Sequence, residues 1–163
     1  DLSRIFLAVP QEHEIEPFPQ ANDLDKVIDL VMNIEEGINE KRKIAQFFEF
    51  DERQADYYAN ATRYLGFTER NTEGFVLTEA GKHFVGIGSR NERTKFLFSQ
   101  LVKRPSFREI IQLLINKAEA LTKQSLSEII AKHTPLSGST PLRRASTVFQ
   151  WLHWLIRNSE LRN

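Results

Sequence analysis

Side chains able to do chemistry are spaced in this sequence for binding rather than for catalysis. Metal-dependent nucleases commonly set a carboxylate pair ahead of a D/E-x-K strand, and no lysine here has Asp or Glu two positions before it. His13, His83, His133 and His153 show no H-x-x-x-H or comparable ligand spacing and are expected as solvated or core residues. Gly86-Ile87-Gly88 lacks the third glycine and the preceding strand of a dinucleotide loop. Neither Ser89 nor Ser137 stands in a G-x-S-x-G turn. No catalytic residue, no metal ligand set and no cofactor site is therefore expected. What remains is a set of long hydrogen-bonding side chains. Arg53, Gln54, Tyr57 and Asn60 recur on one side of a helical stretch, with Arg70 shortly after them. Arg bonds guanine, Asn and Gln bond adenine, and Arg or Tyr holds phosphate, so these types suit a helix laid in the major groove of a DNA duplex.

The stretch that must position them is residues 51–67, DERQADYYANATRYLGF. Asp51 is a suitable N-cap. Ala55, Tyr58, Ala61, Thr62 and Leu65 then form an apolar face, and Gly66 stops the helix. The polar stripe is expected at Arg53, Tyr57, Asn60 and Tyr64. Behind it, residues 67–70, a turn at 71–74 and residues 75–77 predict a β-hairpin. Ahead of it, Asn22 or Asp23 caps a helix whose Leu24, Val27, Ile28, Val31 and Met32 face inward, ended by Gly37. Asn39 can cap a short helix with Ile44, Ala45, Phe47 and Phe48 inward and Lys41-Arg42-Lys43 at its start. Helix, short helix, tight turn, helix and hairpin is the order of a winged helix-turn-helix.

A second polar stripe lies 90 positions later, on a helix opened by Thr140-Pro141. Arg143, Thr147, Gln150 and Trp154 share one side, and Ala145, Val148, Leu152 and Leu155 share the other. Arg53 falls on Arg143, Ala55 on Ala145, Asn60 on Gln150 and Leu65 on Leu155, which suggests a tandem of related units. Arg143, Arg144, Ser146, Thr147 and Gln150 are its candidate DNA contacts. Trp151 and Trp154 would either stack on bases or complete the core. Asp51, Glu52 and Asp56 surround Arg53 and would repel phosphate, whereas no acidic residue occurs from Pro141 to Ser159. If one helix reads DNA, the second is the better choice.

The remaining segments fill in this plan. Residues 4–9 predict a strand, and residues 10–19, with three prolines and Glu12, Glu14 and Glu16, an extended acidic arm. Thr78 caps a short helix, residues 91–103 are helical, and Ser106 opens a helix with Phe107, Ile110, Ile111, Leu114 and Ile115 inward. Ser125 with Glu128 reads as a capping box. After Arg157 too few residues remain for a full second wing. The expected organisation is an N-terminal strand and acidic arm at 1–22, a first winged-helix unit at 23–88 and a second, basic winged-helix-like unit at 89–163. The fold class is mainly α with small β-hairpin wings.

Composition agrees with an ordinary globular chain, 40% hydrophobic and 27% charged over 163 residues. There is no cysteine, so disulfides and thiolate metal sites are excluded. No apolar run reaches a membrane span and no signal peptide is present, so a cytoplasmic location and no membrane partner are expected. Asp1 in place of Met predicts a processed chain or, in preference, a piece of a longer protein with any catalytic domain outside it. The net charge of zero divides unequally. Residues 1–88 carry 9 Lys+Arg against 17 Asp+Glu, and residues 89–163 carry 13 against 5. A basic half fits a phosphate-rich partner, or the two halves attract each other within one chain or across a homodimer.

Three motifs carry a family likeness. They are Arg53-Gln54 with Tyr57-Tyr58 and Asn60-Ala61, then Leu77-Thr78 with Gly81, then Arg143-Arg144 with Thr147-Val148, Trp151-Leu152 and Trp154-Leu155. Over about residues 23–157 the chain resembles the tandem winged-helix regions of bacterial type II restriction endonucleases and related DNA-binding proteins. The resemblance implies recognition of a double-stranded DNA target, with cleavage in a separate nuclease domain. The competing expectation is a protein-interaction or dimerisation module, with Tyr57, Tyr64 and Trp154 as interface anchors.

Overall fold

The computed structural model describes residues 4–5, 14 and 17–159. The expected strand at 4–9 and the acidic arm at 10–19 lie mostly outside these residues. Arg4 and Ile5, which are described, are helical rather than extended. The chain is mainly helical with one small antiparallel hairpin, and it divides into two compact units. One is residues 16–90, and the other is residues 91–163 together with 1–15.

In the first unit, helix α1 spans Leu24–Asn33, and its Asp23 cap accepts the Lys26 amide at 3.3 Å. Leu24, Val27, Leu30 and Val31 are buried. Leu30 takes the inward place expected of Ile28, while Ile28 and Met32 are half-buried. Helix α2 is Lys41–Phe48, and its N-cap is Glu40 rather than Asn39. Asn39 is engaged elsewhere: its carbonyl accepts the Phe75 amide of the hairpin at 2.7 Å. Only Ile44 of α2 is fully buried, and Phe47, expected inside, is 50% exposed.

Helix α3, Glu52–Tyr64, starts at Asp51, whose carboxylate accepts the Gln54 amide at 2.8 Å. Ala55, Ala59 and Ala61 are buried on it, and their small side chains allow close packing against α1 and α2. The Tyr58 hydroxyl accepts the Asp23 amide at 3.1 Å, which ties the start of α1 to α3. Tyr64, expected in the polar stripe, is fully buried and meets Phe18 edge to face at 5.4 Å. Gly66 takes the left-handed φ of 82° that ends the helix.

Strands β1 (Thr68–Asn71) and β2 (Gly74–Leu77) pair Thr68 with Leu77 and Asn71 with Gly74. Phe75 and Leu77 point into the core. Helix α4, Glu79–Gly86, is capped by Thr78, which accepts the Gly81 amide at 3.1 Å. Gly81 is required by space, because a Cβ there would overlap the Phe67 carbonyl. Phe67 in turn stacks on Phe84 at 4.5 Å. Gly81→Ala is therefore expected to destabilise the protein by about 1–3 kcal/mol, the usual cost of overpacking. Urea unfolding checks this, and an unchanged midpoint would contradict the contact.

The second unit contains α5 (Arg90–Leu101), α6 (Pro105–Lys117), a 3₁₀ turn (Ala118–Ala120), α7 (Lys123–His133) and α8 (Thr140–Asn158). No strand is found in it among the described residues, so no second wing is seen. Glu14, from the acidic arm, accepts both the Ser106 amide at 2.9 Å and its hydroxyl at 2.7 Å. It thereby caps the first turn of α6, where the N-cap residue Arg104 supplies no side-chain bond. Phe107, Ile110 and Ile111 face the core, but Leu114 is only half-buried and Ile115 is 49% exposed. The capping box of α7 is Thr122 with Ser125, one turn earlier than the expected Ser125 with Glu128. Trp151 of α8 is fully buried and stacks on Phe107 at 5.8 Å.

Glu109 joins α6 to α7 through Lys132 at 3.0 Å and His133 at 2.7 Å. Burial alone would raise its carboxyl. The hydrogen bonds from His133 and Lys132, with the charges behind them, outweigh burial and hold it below the ordinary value of 4.5. A carboxylate depressed on folding adds stability that is present above its unfolded value and lost as pH falls through the folded one. Wild type should thus lose stability below about pH 4.5 that Glu109→Gln has already lost at neutral pH. The difference is expected to stay under about 1 kcal/mol, because the carboxylate is part-exposed and water screens it. Denaturant unfolding at pH 7 and at a falling series of pH values below about 4.5 reads it; a gap that does not narrow as the pH falls would contradict the assignment.

Candidate nucleic-acid interface

On α3 the structure places Arg53 and Gln54 fully at the surface, with Tyr57 and Asn60 half-buried. Asn60 Oδ1 accepts a long 3.5 Å bond from Arg63, so its amide is partly committed to its own helix. The acidic neighbours are partly answered. Asp56 pairs with Lys41 of α2 at 2.9 Å, and the Lys41 ammonium is raised by that hydrogen bond and by the Asp56 charge. Asp51 is used as the cap, and Glu52 stays exposed beside Arg53. Arg70 lies exposed on β1 with its guanidinium 5.7 Å from the Phe75 ring centre, a cation–π contact that holds it along the hairpin.

On α8 the arrangement differs. Arg143, Ser146 and Gln150 are exposed and Arg144 is half-exposed. Thr147, expected beside them, is only 4% exposed, and Trp154 is 5% exposed. The expected stripe is rotated because Trp151 and Trp154 are the largest groups on the helix and fix which side turns inward. The outward row runs instead through Arg143, Ser146, Gln150, His153 and Arg157. His153 and Arg157 were thus missed, although a 3-4-3-4 count from Arg143 reaches both. Arg143 donates to Ser139 Oγ and Thr140 Oγ1, each at 3.2 Å, so its guanidinium is drawn to the first turn. Helix N-termini carry partial positive charge, which adds to the arginines there. With no carboxylate on this helix before Ser159, cation and helix field act in the same sense.

Among the described residues no group of His, Asp or Glu could hold a metal ion, and no helix is long and apolar enough to cross a membrane. Of the three aromatic residues expected as interface anchors, Tyr64 and Trp154 are buried and only Tyr57 is partly accessible. No curated protein and no solved structure matches the chain. A family profile does match over residues 26–160, and the chain belongs to that family, described as a domain of unknown function, DUF7226.

Proposed function

We propose that this chain is a double-stranded DNA-binding, target-recognition module, with α8 as its principal DNA-contacting helix. The observation that carries the reading is the acid-free outward row of α8, Arg143, Ser146, Gln150 and His153, with Arg144 at its side. Arg and Gln can bond base edges, and Ser and Arg can hold phosphates. The order α1, α2, α3 and hairpin supports a winged-helix arrangement for residues 24–77, with Arg53, Gln54 and Arg70 as secondary contacts. The second unit is then a relative in which no wing is found among the described residues. The resemblance to restriction-endonuclease regions supports a role in a restriction system, with a separate nuclease domain cutting the DNA that this module finds.

The test is fluorescence anisotropy with a random-sequence duplex and a matching single strand, titrated over salt. About three phosphates neutralised by Arg143, Arg144 and Arg157 give a log–log salt slope of about −2.7. Duplex affinity should therefore fall roughly 40-fold between 50 and 200 mM salt. The absence of duplex binding at low salt would overturn the reading in favour of a protein-interaction module.

A further inference from the structure

The first unit carries a cleft along the outer edge of β2 that the DNA reading does not use. Its volume is about 810 Å³, within the range of ligand sites. The cleft exists because of how the chain leaves α1. Asn39 makes a single bond to the strand, its carbonyl accepting the Phe75 amide. Before it, Gly37 with φ 102° turns the chain away, so residues 34–37 diverge from β2 rather than pair with it.

The main-chain groups at this edge follow from the register. Alternate residues of an antiparallel pair direct their amides and carbonyls toward and away from the partner strand. Thr78 donates to the Phe67 carbonyl and Phe75 donates to Asn39, so Phe75 and Leu77 are the outward-directed residues. The Phe75 carbonyl and both main-chain groups of Leu77 have no main-chain partner among the described residues. They form a short open strand edge, the kind of template on which another strand adds.

The walls decide what could add. Ile34, Phe75 and Leu77 belong to the core and present only their edges as a narrow apolar floor, and Glu35, Glu69 and Glu79 supply carboxylates. Among the described residues lining the cleft the only cation is Lys82, which stands 3.7 Å from Glu79. A purely ionic site would need no strand edge, and a purely apolar one would not be ringed by carboxylates. We propose that this cleft takes an extended basic segment of a partner protein as an added strand along β2. Apolar side chains would settle on the floor and Lys or Arg would reach the glutamates. The open groups, from the Phe75 carbonyl to the Leu77 carbonyl, offer about 7 Å of edge.

The probe is a fluorescent peptide of alternating lysine and valine, titrated against the intact protein at low salt. Two further versions carry N-methyl groups on one or the other alternate set of residues. The parent peptide is expected to bind. One methylated register should weaken binding about tenfold or more and the other should leave it nearly intact, because only one set of amides faces β2. Glu35→Lys/Glu69→Lys, both exposed positions, should also weaken it at least about tenfold. Failure of the parent peptide to bind would overturn the proposal. So would equal behaviour of the two methylated registers, which would mean charge attraction without strand addition.

Discussion

Trp151→Ala is expected to destabilise the protein by about 3–5 kcal/mol, the range for deleting a large aromatic core side chain. Trp151 is fully buried on α8 and stacks on Phe107 of α6, while α7 packs against both helices. Its removal therefore opens a cavity against Phe107 in the core of the second unit. A compact domain has only about 5–15 kcal/mol to lose, so the variant should leave much of the second unit poorly packed at moderate temperature. Urea unfolding gives the magnitude, and loss of near-ultraviolet circular dichroism with retained helical signal would show which packing has failed. Trp151→Phe keeps a ring against Phe107 and should recover part of the loss. A cost below about 1 kcal/mol for Trp151→Ala would be the value of a surface change and would contradict the core placement.

The second large effect concerns binding. Arg143→Ala/Arg144→Ala should lower duplex affinity about 10- to 100-fold near 0.1 M salt and make the log–log salt slope shallower by about 1.8, two phosphate contacts' worth. The two residues differ in their surroundings: Arg143 is drawn to Ser139 and Thr140, whereas Arg144 is half-exposed. Arg53→Ala/Arg70→Ala should have a smaller effect. Arg53 stands beside exposed Glu52, and Arg70 rests on Phe75. Equal losses from the two pairs would place DNA across both units' helices, and no loss from the Arg143/Arg144 pair would remove α8 from the interface.

How far the sequence carried these positions depends on the range of the interactions that decide them. Asp51, Thr78 and Gly66 were legible because caps and left-handed stops act within a few residues. The hairpin was legible for the same reason: its turn stands at 71–74 as expected, with Asn71 and Gly74 paired at its base. The rotation of α8 was half legible: a 3.6-residue period fixes that there are two faces, but the burial of Trp151 and Trp154 decides where the boundary falls. Thr147 was assigned to the wrong side of it. Tyr64, Phe47 and Ile115 were misplaced because tertiary packing, rather than helical spacing, selects which residues of a helix find neighbours. Asn39 left its expected cap position to meet Phe75, 36 places on. Glu14 bonds Ser106 across 92 residues, and nothing local in either segment announces it.

The measurement that tests the central claim most directly is amide chemical-shift mapping of the intact protein with a short random duplex. The largest shifts are predicted along α8, at Arg143, Ser146, Gln150 and His153, with smaller ones at Arg53, Gln54 and Arg70. Shifts confined to residues 16–90, or none at all at low salt, would contradict the assignment of α8 as the DNA-contacting helix.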